Sequence, residues 1–144
     1  MSFWIVPLVS ILVFPGNVTS IDRIKSLAEK AQENTKRLRN HLKQKNPQDV
    51  EKISKLNFLA ENIFSKENAW KKRYDKIIIT AGIANTETKE KVEEMAKSLL
   101  KKKGILVCPY VSGPLVIYKK NKKLERKETK EQYVFVPLLE GVEK

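Results

Sequence analysis

Asp75–Val111, DKIIITAGIANTETKEKVEEMAKSLLKKKGILVCPYV, carries the densest structural signals in the chain. It opens on a short β-branched run, Asp75–Ala81, of the kind that suits a pleated strand. Asn85 or Thr86 then offers a side-chain oxygen to cap a helix, and Gly104 stands where a helix reaching Lys103 would need a left-handed terminating residue. Glu87, Glu90, Glu93 and Glu94 sit early and Lys97, Lys101, Lys102 and Lys103 late, as the helix dipole favours, while Val92, Met95, Ala96 and Leu99 recur on one face. Ile105–Val111 follows as a second apolar run. Two strands joined by a helix of this length are ordinarily parallel neighbours with a right-handed crossover, so the stretch predicts a βαβ core.

Toward the C-terminus, Ser112-Gly113-Pro114 predicts a turn, Leu115–Tyr118 a returning strand, and Tyr133–Leu138 a last strand beyond a charged loop. Toward the N-terminus, Asn46-Pro47-Gln48-Asp49 stops one helix and starts another, with Asn46 as cap and Pro47 at the first helical position. The upstream helix is expected from Ser20, behind Thr19. Ile21, Ile24, Ala28, Ala31, Thr35, Leu38 and Leu42 follow there at alternating steps of three and four, the spacing of a coiled-coil seam. Val50, Ile53, Leu56, Leu59, Ala60, Ile63 and Phe64 form a wider apolar stripe on the downstream helix. Residues 20–66 therefore predict a helical hairpin. Phe3–Phe14 is almost wholly apolar, but spanning a bilayer takes roughly 20 residues and Pro7 interrupts the run, so buried strand is expected over 3–14 and membrane contact is disfavoured.

The expected whole is a single domain over 1–144 of the α/β class, with α+β as the alternative. Its mixed sheet of about 4–5 strands combines the 3–14 strand region, the hairpin inserted after that first strand, and a strand-helix-three-strand region over 75–138.

Composition excludes much chemistry. With one His (His41), one Cys (Cys108) and only Asp22, Asp49 and Asp75 as aspartates, no ligand set for a metal is expected, and no cofactor motif is present. A lone cysteine suits a reducing compartment, so a cytoplasmic location is expected. Asp22 and Asp49 read as helix caps, Cys108 lies in an apolar run and His41 has no visible partner. No catalytic constellation emerges, and an enzyme is not expected.

The net charge of +12 instead points to an anionic partner. Trp70, Lys71, Lys72, Arg73, Tyr74 and Lys76 place base-stacking aromatics beside cations, and Lys119, Lys120, Lys122, Lys123 and Arg126 surround a predicted hairpin tip. These residues are the candidate nucleic-acid site, for DNA or RNA of arbitrary sequence, with single strands the form its aromatics suit. Self-association is expected through Ile21, Ile24, Ala28, Ala31, Leu38 and Leu42. The rival function is a small ligand-binding or sensing module for a nucleotide or other anion, held by the loops at 15–19 and 80–86 if both preceding strands share one sheet. A structural oligomer is the third reading.

Overall fold

The computed structural model describes residues 16–51 and 55–143, so the apolar run expected as strand at 3–14 lies outside the described residues. Among the described residues the chain has mixed α and β content, two α-helices and eight strands, consistent with the α+β class. It divides into two compact units, Met1–Ala69 with Gly141–Lys144, and Trp70–Glu140.

In the first unit β1 (Val18–Asp22) leads into α1 (Lys25–Lys45) and then β2 (Leu56–Ala60). β1 and β2 are parallel, in register from Val18 opposite Leu56 to Asp22 opposite Ala60. The helical hairpin expected over 20–66 is thus replaced by strand, helix and strand. Two physical reasons account for the difference. Val18–Asp22 ends in an aspartate whose Oδ1 accepts the Ile24 N–H at 2.8 Å, a local turn that ends the strand and delays the helix to Lys25. Leu56–Ala60 carries apolar residues that fit a helical stripe and a strand alike, and pairing with β1 decides the matter. The Asn46–Asp49 boundary is a short 3-10 turn at Pro47–Asp49, followed by helical Val50 and Glu51, and the Asn46 side chain caps nothing.

Two further links complete this unit. Glu61 is buried, and its carboxylate accepts from Asn68 Nδ2 at 2.7 Å and from the Ala69 N–H at 3.2 Å, the donors a buried carboxylate requires. The C-terminal segment returns beside the start of α1. There the Lys25 N–H donates to the Glu143 carbonyl, the Glu143 N–H donates to the Arg23 carbonyl, and Arg23 pairs with the Glu143 carboxylate at 2.7 Å.

The second unit is built on a four-stranded sheet of order β3 (Tyr74–Ile78), β4 (Leu100–Pro109), β6 (Leu115–Lys120) and β7 (Leu124–Glu128). β3 and β4 are parallel with α2 (Thr86–Leu99) between them in sequence, and β6 and β7 are antiparallel additions. Asn85 caps α2 through its side chain, which accepts from the Thr88 N–H at 2.9 Å. Val92, Met95, Ala96 and Leu99 on α2 are buried together with Leu106 and Cys108 of β4 and Val116 and Tyr118 of β6. Burying an apolar side chain of this size contributes about 1.5–3 kcal/mol, so this single face dominates the stability of the unit.

Three elements depart from expectation. The helix stops at Leu99 and Leu100 already opens β4, because an apolar contact after Leu99 would have to come at position 102 or 103, where lysines stand. The charged loop contains β7, an edge strand with four charged residues in five, paired along its length with β6. Of the last strand expected over Tyr133–Leu138, only β8 (Tyr133–Val134) is regular, paired with β5 (Ser112–Gly113) where a turn was expected. The rest continues as an extended strap across Gly82, whose N–H donates to the Val136 carbonyl and whose carbonyl accepts the Leu138 N–H.

Gly82 is caught between that strap and the end of β4. A Cβ there would lie 2.5 Å from the Val111 nitrogen and 2.7 Å from the Tyr110 carbonyl carbon, both backbone atoms that cannot swing aside. Gly82→Ala is expected to destabilise the protein by about 2–3 kcal/mol in urea unfolding. Gly16→Ala, which meets nothing within 4 Å, should change stability by less than about 0.5 kcal/mol. Equal effects from the two substitutions would show that the crossing at Gly82 is not as tight as described. The Cys108 thiol is pushed up to about 12 by burial. It is therefore expected to resist alkylation at pH 8 in the folded protein and to react at an ordinary rate once denaturant is added.

Candidate functional site

The residues proposed from sequence to contact nucleic acid all belong to the second unit. Strand register decides which of them share a surface. Tyr74 of β3 lies opposite Leu100 of β4, Lys76 opposite Ile105, Ile105 opposite Lys119 of β6, and Lys119 opposite Glu125 of β7. The start of β3, the start of β4, the end of β6 and the start of β7 therefore lie at one end of the sheet. Lys71, Lys72 and Arg73 precede β3 at this end, and Lys122 and Lys123 occupy the turn between β6 and β7. Two clusters far apart in sequence meet here because β4 lies between the strands that carry them.

A third basic segment joins them. Between the Tyr74–Leu100 and Lys76–Ile105 pairs the register shifts, so β4 takes a longer path than β3 over the same rise. The excess is Lys101–Lys103, all exposed, with Lys103 in the left-handed region at φ 67°. Gly104 closes the irregularity where a Cβ would lie 2.8 Å from the Lys101 carbonyl oxygen and 3.2 Å from that of Asp75. Reading Lys101–Lys103 as the last turn of a helix missed this placement. Its signal in the sequence was the missing apolar residue one turn beyond Leu99.

The cations at this end differ in how far they are committed. Lys101 Nζ is 2.8 Å from Asp75 Oδ2, and the hydrogen bond from Lys101 is the main reason the Asp75 carboxyl is held below its ordinary range. Lys120 points to the helix side of the sheet and donates to the Lys97 carbonyl near the end of α2. Arg126 is also on that side, opposite Tyr118, where it donates to Tyr110 Oη at 2.7 Å and pairs with Glu128. Lys120 and Arg126 are thus joined to their own unit and do not share the surface of the other cluster members. Glu125, which faces Lys119 across the strands, accepts instead from Asn121 Nδ2 at 2.7 Å. Lys72, Lys102, Lys103, Lys119, Lys122 and Lys123 make no ion pair among the described residues, and all are exposed.

The aromatics are less available. Trp70 lies in the 3-10 turn Asn68–Lys71 and is half-buried, Tyr74 is half-buried on β3, and Tyr118 is only 1% exposed. On the face of the sheet turned away from α2, the rows read Lys76, Ile105, Lys119, Glu125 and then Ile78, Val107, Ile117, Lys127, with no aromatic side chain among them.

The rival site uses the loops at 15–19 and 80–86. Its premise involves the strand expected over 3–14, which lies outside the described residues. Within 80–86 two backbone donors are already used, Gly82 N–H by the Val136 carbonyl and Ile83 N–H by the Pro109 carbonyl at 2.8 Å, and just beyond them the Thr88 N–H donates to Asn85. Of the expected oligomerisation seam, Ile21 lies in β1 and Ile24 precedes the helix, where it pairs with Glu143. Ala28 is buried, while Ala31, Leu38 and Leu42 are half-buried on α1. Among the described residues no group of three or more His, Cys, Asp or Glu could hold a metal ion, and no helix is long and apolar enough to cross a membrane. No family model matches the chain, and no curated protein matches it either.

Burial pushes the Tyr118 phenol up to about 12 from an ordinary 10, with the Glu93 carboxylate adding to the effect. The unfolded chain releases this proton near pH 10 while the folded one keeps it, so stability is whole below pH 10 and drains as the pH climbs toward 12. Tyr118→Phe is expected to make the alkaline loss of stability shallower in unfolding curves taken from pH 9 to 12. An equally steep loss in the variant would assign it to other groups.

Proposed function

We propose that the protein binds nucleic acid, without regard to base sequence, through the basic end of the β3–β4–β6–β7 sheet. What carries the reading is the gathering of Lys72, Lys102, Lys103, Lys119, Lys122 and Lys123, none of them in an ion pair among the described residues, at one end of one unit. Like charges held together repel, and a folded domain gains nothing from leaving them unpaired. A polyanion relieves that repulsion and releases its own condensed counterions on binding. Lysine is a point charge without the planar fork that arginine sets against guanine, so a lysine surface favours phosphates over bases. The strand-helix-strand unit of β3, α2 and β4 is the frame of the site in this reading. Self-association would use the part of the seam on α1 that is not buried, Ala31, Leu38 and Leu42. That helix is about 31 Å long against strands of about 17 Å, so it extends past the sheet of its own unit.

The test is the binding of labelled oligonucleotides as salt is raised. Affinity is expected to fall by about two to three powers of ten between 50 and 200 mM salt, as about five neutralised phosphates would require, and to differ little between unrelated sequences. Replacing Lys119, Lys122 and Lys123 by Gln should lower the slope of log affinity against log salt by about one per residue. Binding that ignores salt, or a slope unmoved by the triple substitution, would refute the proposal.

A further inference from the structure

We infer that the nucleic acid this site takes is double-stranded, gripped by its phosphates alone, and that the Lys102–Lys103 bulge of β4 is a principal contact. The inference rests on the nucleic-acid reading above and narrows it. A site for single strands combines a charged groove with exposed aromatic rings on which bases stack. Here Tyr118 is sealed under α2, Trp70 and Tyr74 are half-buried, and the outer sheet rows from Lys76 onward offer isoleucine, valine, lysine and Glu125. Base stacking therefore has little to work with, and charge density has to supply the affinity. A duplex presents one charge per about 1.7 Å of its axis and releases about 0.9 counterion per neutralised phosphate, against about 0.7 for a single strand. It is the richer target for a surface of this composition.

The bulge has the central position. Adjacent strands lie about 4.8 Å apart, so Lys76 on β3 and Lys119 on β6 stand about 10 Å apart with β4 between them. Lys102 and Lys103 leave the ladder at the start of that middle strand, between the segment entering β3 and the turn beyond β6. A left-handed backbone at a lysine costs stability that glycine would not, and structures keep such residues where the surroundings or the function demand them. A bulge that carries charge from the centre of the sheet end toward a flat polyanion meets that description.

The experiment compares a 20-base-pair DNA duplex with each of its strands alone, titrated against the full chain and against Lys102→Gln and Lys103→Gly. Glycine at 103 removes the charge while accepting the left-handed backbone, and thermal melts confirm that both variants fold. The duplex is expected to bind more tightly than either strand, and each variant to lose about five- to tenfold in duplex affinity near 100 mM salt, equally on unrelated sequences. Lys130→Gln, beyond β7 at the other end of the sheet, serves as the control and should bind as the parent does. Single strands bound as tightly as duplex, or bulge variants that bind like the parent, would overturn this inference and leave the nucleic-acid reading standing. Failure of the parent chain to bind either form would overturn both.

Discussion

Everything in the second unit depends on one packing constraint, the burial of Val92, Met95, Ala96 and Leu99 of α2 together with Leu106, Cys108, Val116 and Tyr118 of the sheet. A strand shifted by one residue would turn its apolar side chains outward, so burial of this face fixes the register of β4 and β6. The lysines have no say in that choice. Once Leu106 stands opposite Tyr118, Ile105 must stand opposite Lys119, and the ends of the strands fall where they do. The basic surface is thus a consequence of apolar packing on the other side of the sheet.

The charge distribution has a direction. At the end where β3 and β4 begin, the carboxylates are Asp75, joined to Lys101, and Glu125, joined to Asn121. Toward the other end, Glu87 lies in the first turn of α2 and Lys91 bridges it to Glu140. Glu128 closes β7 there beside Arg126. The ion pairs of Glu87, Glu140 and Glu128 thus lie toward one end, and six lysines without an ion pair among the described residues gather at the other. The helix dipole runs against this polarity and so stabilises it, since its negative carbonyl terminus lies at the basic end, where Lys120 takes up the carbonyl of Lys97. Lys120 and Arg126, alike in sequence to their neighbours, are thereby withdrawn from the surface.

Much of this was legible in the sequence, and the exceptions have physical causes. The runs at Ile77–Ile79 and Ile105–Cys108, the Asn85 cap and the apolar face of α2 are local signals that agree with one another, so strand, helix and strand could be read in order. Leu56–Ala60 could not, because its period suits helix and strand equally and its partner β1 lies a whole helix away. β7 was hidden because an edge strand needs no apolar face, and LERKE looks like loop until its pairing with β6 is known. The two basic clusters were visible as compositions, but that they share an end with Lys101–Lys103 follows from register alone. The same register turned Lys120 and Arg126 away, which no count of charges could reveal.

The central claim is that one end of one sheet carries the anion-binding surface. The most direct measurement is acetylation footprinting, in which lysines are modified with and without bound duplex DNA and the protection of each is read by mass spectrometry. The account predicts joint protection of Lys72, Lys102, Lys103, Lys119, Lys122 and Lys123, with Lys89 and Lys130 modified as before. Protection spread evenly over the lysines, or concentrated on Lys89 and Lys130, would contradict it.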